Sequence, residues 1–173
     1  MPQSGESTDH VLGQEFLTWL WYQSDTAPGA FTDQNGASFS VSMEQRIVVQ
    51  GGEGDARETA SVSGSSSPLR EARFGLGTGK KVSRALVCLE KDGMEFQLNL
   101  RAEDFCLGSL KTPKLDRNDG DDDPDALLLE KIYLMETCAG LLDSLYARFL
   151  KLRLSRNWRN EVALLGQWLT KTA

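Results

Sequence analysis

The chain has 173 residues, 40% hydrophobic and 25% charged, with a formal net charge of −6. These proportions suit an ordinary globular core and exclude a fibrous or largely disordered polypeptide. The acidic balance excludes duplex binding by bulk charge, because a domain that neutralises phosphates needs at least a local basic surface.

Residues Met1 to Asp9 are rich in Ser, Gly and acidic side chains, and predict a mobile tail over 1–9 ahead of one domain over 10–173. That stretch lacks the apolar segment of a signal peptide, and no apolar run reaches membrane-spanning length, so a cytoplasmic protein with no membrane partner is expected. From about Val11 to Ser24, Leu12, Phe16, Leu17, Leu20 and Trp21 recur at helical spacing, with Trp19 and Tyr22 widening the apolar face. A helix facing a core or a partner follows. Thr26 to Gly36, with Pro28, Gly29, Asn35 and Gly36, marks a loop.

Ser38 to Gly64 is rich in Val, Thr, Ser and Ile, alternating at Phe39, Val41 and Met43 and again at Ile47 and Val49, which predicts strands divided by a hairpin at Gly51 to Asp55. Pro68 suits the first turn of a short central helix running to about Gly75. Ala85–Glu90 and Glu95–Leu100 read as two further strands joined through Asp92-Gly93, with Phe96, Leu98 and Leu100 on one face and Gln97 and Asn99 on the other.

Regularity is expected to lapse over 107–125, an acidic loop containing Asp116 to Asp125. Asp125 then suits the cap of a long helix with an apolar stripe of Leu128, Ile132, Met135, Ala139, Leu142, Tyr146, Phe149 and Leu152, broadened by Leu141 and Leu145. Ser155 suits the cap of a final helix carrying Trp158, Val162, Leu165, Trp168 and Leu169. The fold class expected is α+β: an antiparallel sheet with an N-terminal helix, a central helix and two C-terminal helices.

No constellation points to catalysis. Gly75 to Ser83 is glycine-rich and followed by lysines, but a phosphate-binding loop needs glycine where Phe74 stands and Ser or Thr where Lys81 stands. A calcium-loop register with Gly120 in sixth place puts Leu115, Arg117 and Ala126 at ligand positions, which they cannot fill. His10 is the one histidine, so multi-histidine metal sites are excluded. Asp143 is a lone carboxylate inside the long helix. Cys88, Cys106 and Cys138 are odd in number and set in apolar stretches, as reduced core thiols are; a catalytic cysteine is the sharper alternative. A non-enzyme without cofactor or metal is expected.

Two basic groups remain: Lys80, Lys81 and Arg84, and Arg148, Lys151, Arg153, Arg156 and Arg159. If the long helix continued through Ser155, Arg148, Lys151, Arg156 and Arg159 would share one broad side able to meet phosphates. The alternative is a solvated helix face whose charges complement the helix dipole.

The sequence resembles the C-terminal half of RdgC-like recombination-associated proteins, especially the divergent bacterial relatives. Glu15–Tyr22 (EFLTWLWY), Arg70–Lys81 (REARFGLGTGKK) with Ala85–Asp92 (ALVCLEKD), Glu130–Leu134 (EKIYL) and Leu141–Trp158 (LLDSLYARFLKLRLSRNW) carry the likeness. The resemblance implies a non-enzymatic α+β protein of the bacterial nucleoid that binds double-stranded DNA without sequence preference, in connection with recombination, through Lys80, Lys81, Arg84, Arg148, Lys151, Arg153, Arg156 and Arg159. The likeness does not reach the family's N-terminal half. It therefore implies a homo-oligomer of another kind or a separate polypeptide supplying that half, docked on Trp19, Trp21 or Trp168. The rival expectation is a protein-interaction module that has lost DNA binding.

Overall fold

Residues 8–43, 46–51, 58–63, 76, 79–114 and 123–171 are described by a computed structural model. Among them seven strands form one sheet: β1 (Phe31–Thr32), β2 (Ser38–Ser42), β3 (Arg46–Gly51), β4 (Glu58–Ser63), β5 (Lys81–Lys91), β6 (Met94–Arg101) and β7 (Leu107–Lys111). The long β5 runs through the centre. One edge pairs with β6, and the other carries β2 opposite Cys88–Glu90 and β3 opposite Lys81–Ala85, so β2 and β3 lie end to end. β1, β4 and β7 extend β2, β3 and β6 outward, and every pairing is antiparallel.

Period-two alternation decides which face is packed. Phe39, Val41, Ile47, Val49, Val82, Ala85, Val87, Leu89, Phe96, Leu98 and Leu100 are buried. Their neighbours Ser40, Ser42, Gln97 and Asn99 are half-buried, and Arg84, Glu90 and Glu95 are exposed. One face is therefore packed and the other open to water. A bulge at Ser83, where Val48 opposes Arg84 and Val49 opposes Val82, keeps the buried alternation in phase at the start of β5. The Ser83 hydroxyl donates to the Val48 carbonyl at 3.2 Å. The Asp92-Gly93 hairpin forms as the sequence indicates, with Lys91 opposite Met94 and φ values of 51° and 75° at the two turn residues.

Helix α1 (Thr8–Thr26) lies on the packed face, where the Thr18 hydroxyl accepts from the Val82 N–H at 3.1 Å. Helices α2 (Pro124–Arg153) and α3 (Trp158–Thr170) pack on α1 through aromatic pairs: Phe16 with Tyr146 at 5.3 Å and Phe149 at 5.5 Å, Trp21 with Trp168 at 5.4 Å. Held between sheet and helices, α1 buries Phe16, Leu17, Trp19, Leu20, Trp21 and Tyr22 on nearly every side. The fold is α+β.

Several boundaries differ from the sequence reading. Thr8 and Asp9 are already helical, because the helix starts ahead of its apolar stripe. Leu107–Lys111 is a strand, not loop, held by pairing with β6 despite a register shift and a positive φ at Ser109. Asp123 caps α2 in place of Asp125: Pro124 takes the first helical position, and the Asp123 carboxylate accepts from the Asp125 N–H at 3.1 Å. The buried stripe of α2 is Leu134, Cys138, Leu141, Leu145 and Phe149: Leu141, Leu145 and Phe149 are packed as expected, while in the first half Leu134 and Cys138 are buried and Leu128, Ile132 and Met135 are exposed. The central helix over 68–75, the hairpin run beyond Gly51 and the acidic run up to Asp122 lie outside the described residues.

Candidate nucleic-acid interface

The second basic group sits where α2 ends. Leu154 follows the helix with its side chain 83% exposed, and the next residue turns the chain. The Ser155 hydroxyl donates to the Leu152 carbonyl at 2.7 Å and accepts from the Asn157 N–H at 3.1 Å, so it takes up backbone groups that a continuing helix would have used. Asn157 then takes the N-cap position of α3, with no capping hydrogen bond from its side chain. The break falls where the sequence indicates a new helix, but Ser155 is not the cap, and the continuous helix on which a single basic side depended does not form. Lys151 ends up on α2, Arg156 in the turn and Arg159 in the first turn of α3, all three exposed.

Two members of this group are held by the fold. The Arg148 guanidinium donates to the Ala30 carbonyl at 2.5 Å and lies 5.1 Å from the Phe31 ring centroid, which ties α2 to the strand after α1. Arg153 donates through Nε to Glu15 Oε2 at 2.7 Å and covers the Trp158 ring at 5.2 Å. Arg148 and Lys151 also line an open cleft of about 420 Å³ against α1, with Gln23, Ser155, Asn157 and Glu161. That cleft is not purely basic. The Glu161 carboxylate lies in its wall and accepts from the Trp19 indole N–H at 3.1 Å and from the Gln23 amide at 2.5 Å. Burial, together with the Glu161 charge, raises the Tyr22 hydroxyl above the usual phenol range.

The first basic group divides. Lys81 Nζ stands 3.9 Å from Glu15 Oε1, so Lys81 and Arg153 meet at the two oxygens of one carboxylate. Lys80 is half-buried beside Gly51. Arg84 points the other way: it is exposed on the water-facing side of the sheet, opposite Arg101, which is itself ion-paired to Asp104. Glu15 is the residue that sequence reasoning missed. Its partners lie 66 and 138 positions along the chain, and only the packing of α1 between sheet and helices brings them together.

The aromatic docking face is corrected. Trp19, Trp21 and Trp168 are 0%, 2% and 6% exposed, and the Trp168 indole donates to Asp25 at 2.6 Å, so all three belong to the core between α1 and its neighbours. Cys106 is exposed, unlike the core thiol expected, whereas Cys138 is buried and its thiol is pushed up to about 11 by desolvation. Asp143 is an exposed helix residue. Among the described residues no three His, Cys, Asp or Glu side chains gather in a way that could hold a metal, and no helix is long and apolar enough to cross a membrane. Gly79 lies in a turn, with φ 91°, and Lys80 alone separates it from β5. No protein-family model, curated protein or solved structure matches this chain.

Proposed function

We propose that this chain is a non-catalytic, RdgC-like DNA-associated protein that contacts the duplex backbone without reading bases, through Lys151, Arg156 and Arg159 at the α2–α3 corner. One observation carries the reading: these three side chains are exposed on adjoining turns, and among the described residues none has a carboxylate within ion-pair distance. Such cations can displace condensed counterions from a phosphate backbone, whereas Arg148 and Arg153 already serve the fold. A role in recombination and a place in the nucleoid belong to the same reading. Lys81 and Arg153 extend the surface as far as Glu15, and Arg84 stays outside it.

Duplex titration followed by fluorescence anisotropy tests this. Binding is expected to be weak and indifferent to sequence, with a slope of log affinity against log salt of about −2.7 for three phosphate contacts. Replacing Lys151, Arg156 and Arg159 by Glu should abolish it without changing the melting temperature, since exposed substitutions cost little. Arg84→Glu should leave it unaltered. Strong base preference, or full affinity in the triple variant, would overturn the proposal.

The rival reading, an interaction module that has lost DNA binding and pairs with another polypeptide, is favoured by the net charge of −6 and by the ion-paired state of Lys81 and Arg153. A parent chain that never binds duplex would select it.

A further inference from the structure

The first half of α2 carries an apolar stripe that nothing among the described residues covers. Leu128, Ile132 and Met135 are 57%, 42% and 56% exposed, and Ala139 continues the line. At 100° per residue these four fall within about 60° of one another, roughly 110° around the helix from the buried stripe that seats α2 on its own domain. Further along, the same line passes through Leu142 and Tyr146, where the chain covers it: Tyr146 meets Phe105 at 5.0 Å and Phe16 at 5.3 Å. A stripe that needs a cover over its second half and receives one is left bare over its first.

We infer that a second copy of this chain covers it, in a parallel α2–α2 pair. The spacing of four, three and four residues is that of a two-helix seam, with Leu128 and Met135 in one class of core position and Ile132 and Ala139 in the other. β-Branched Ile at one class and Leu at the other favours two strands in parallel. The flanking charges choose the same arrangement. Lys131 and Glu136 are exposed, lie about 70° to either side of the seam, and have no ion-pair partner among the described residues. In a parallel pair in register, a flanking residue faces the one five positions on in the partner helix. Lys131 of each copy then meets Glu136 of the other, twice by symmetry. An antiparallel pair brings each of these flanks against its own counterpart and leaves both charges unmatched. The exposed Asp123 and Asp125 of the two copies come together at one end, a repulsion that added salt screens together with the Lys131–Glu136 attraction.

Sedimentation velocity of the full chain over a concentration series tests the inference. The expected mass is twice 19.1 kDa at the upper concentrations. Ile132→Asp should give a monomer whose circular dichroism matches the parent and whose melting temperature matches that of the parent at concentrations where the parent is itself monomeric. Lys131→Glu and Glu136→Lys should each weaken pairing at least several-fold, and the two together should restore it, which a non-specific apolar association would not do. Leu128→Cys with Cys106→Ser should form an interchain disulfide on oxidation only in the parallel arrangement. A parent chain that stays monomeric throughout, a dimer indifferent to Ile132→Asp, failure of the double charge swap to rescue, or no disulfide from a dimeric Leu128→Cys chain would each overturn it.

Discussion

Gly13 of α1 rests against the carbonyl of Ala102: a Cβ at Gly13 would overlap that oxygen and stand 2.8 Å from the carbonyl carbon. The carbonyl follows directly after β6, and the Ala102 N–H is bonded to Ser83 in β5 at 2.8 Å, so neither partner can retreat without disturbing the sheet. Gly13→Ala should therefore destabilise by about 1–3 kcal/mol in urea denaturation, even though alanine is the better helix former. Gly140→Ala in α2 supplies the contrast. An added Cβ there meets nothing within 4 Å, and the expected change is a gain of about 0.5–1 kcal/mol.

Local signals carried much of this fold. Alternation over Phe96, Leu98 and Leu100 and the Asp92-Gly93 pair placed the central hairpin correctly, because side-chain period and turn chemistry are properties of a few neighbouring residues. The first half of the α2 stripe differs from the sequence expectation for the opposite reason. Its sequence has apolar residues on two sides, Leu128-Ile132-Met135 and Leu134-Cys138-Leu141, and only the position of the sheet and α1 decides which is buried. β7 escaped notice because its strand character comes from β6. The corner at Ser155 was legible as a boundary but not as a break that separates the cations, since that depends on which backbone groups one hydroxyl engages. Tryptophan burial followed the same logic: a helix apolar all round states that something covers it, without saying whether the cover is its own chain.

The acid limb of the stability curve should depend on Asp33. Its carboxylate accepts from Lys91 Nζ at 2.5 Å and from the Ala37 and Asn35 N–H groups at 2.8 and 2.9 Å. The Lys91 bond chiefly, then these backbone bonds, hold Asp33 below the usual carboxylate range, and the same bond raises Lys91 above its ordinary range. A depressed carboxylate stabilises the fold above its unfolded titration and loses that contribution as pH falls through the lower folded value. Lys91 contributes below its unfolded titration and loses its share as pH rises through the higher folded one. Asp33→Asn should lower the melting temperature at neutral pH and make its fall between pH 5 and about 2 shallower than in the parent. Parallel curves for the two chains would contradict this.

Thiol reactivity should separate the cysteines by burial. Only the thiolate attacks an electrophile, and the Cys138 thiol, pushed up to about 11, supplies almost none at neutral pH besides being buried. Cys106 is exposed directly ahead of β7. A maleimide added to the native chain should label Cys106 first, Cys106→Ser should remove the fast phase, and Cys138 should react only in denaturant. Rapid native labelling at Cys138, read by peptide mass, would show that α2 leaves the core more readily than its packing implies.

Glu15 links stability to the proposed DNA surface with opposite signs. Its carboxylate takes the Arg153 bond at 2.7 Å and lies 3.9 Å from Lys81, with side chains partly open to water at 34% for Arg153 and 41% for Lys81. Glu15→Gln keeps the shape and one acceptor but removes the shared counter-charge. Pairs this exposed contribute modestly, so a loss of about 1 kcal/mol is expected on thermal or urea denaturation. Duplex binding should move the other way: with Lys81 and Arg153 no longer neutralised, the surface reaching from the α2–α3 corner to α1 gains net positive charge, and affinity at low salt should rise several-fold. The salt slope should steepen as well, because the additional phosphate contacts release further counterions. Adding the triple replacement of Lys151, Arg156 and Arg159 by Glu to Glu15→Gln should abolish that gain, because the corner then repels the backbone that the freed cations attract. If Glu15→Gln loses stability yet binds duplex no better than the parent, the ion pairs are a fastening of α1 to α2 and β5 alone, and the phosphate-contacting surface ends at the corner.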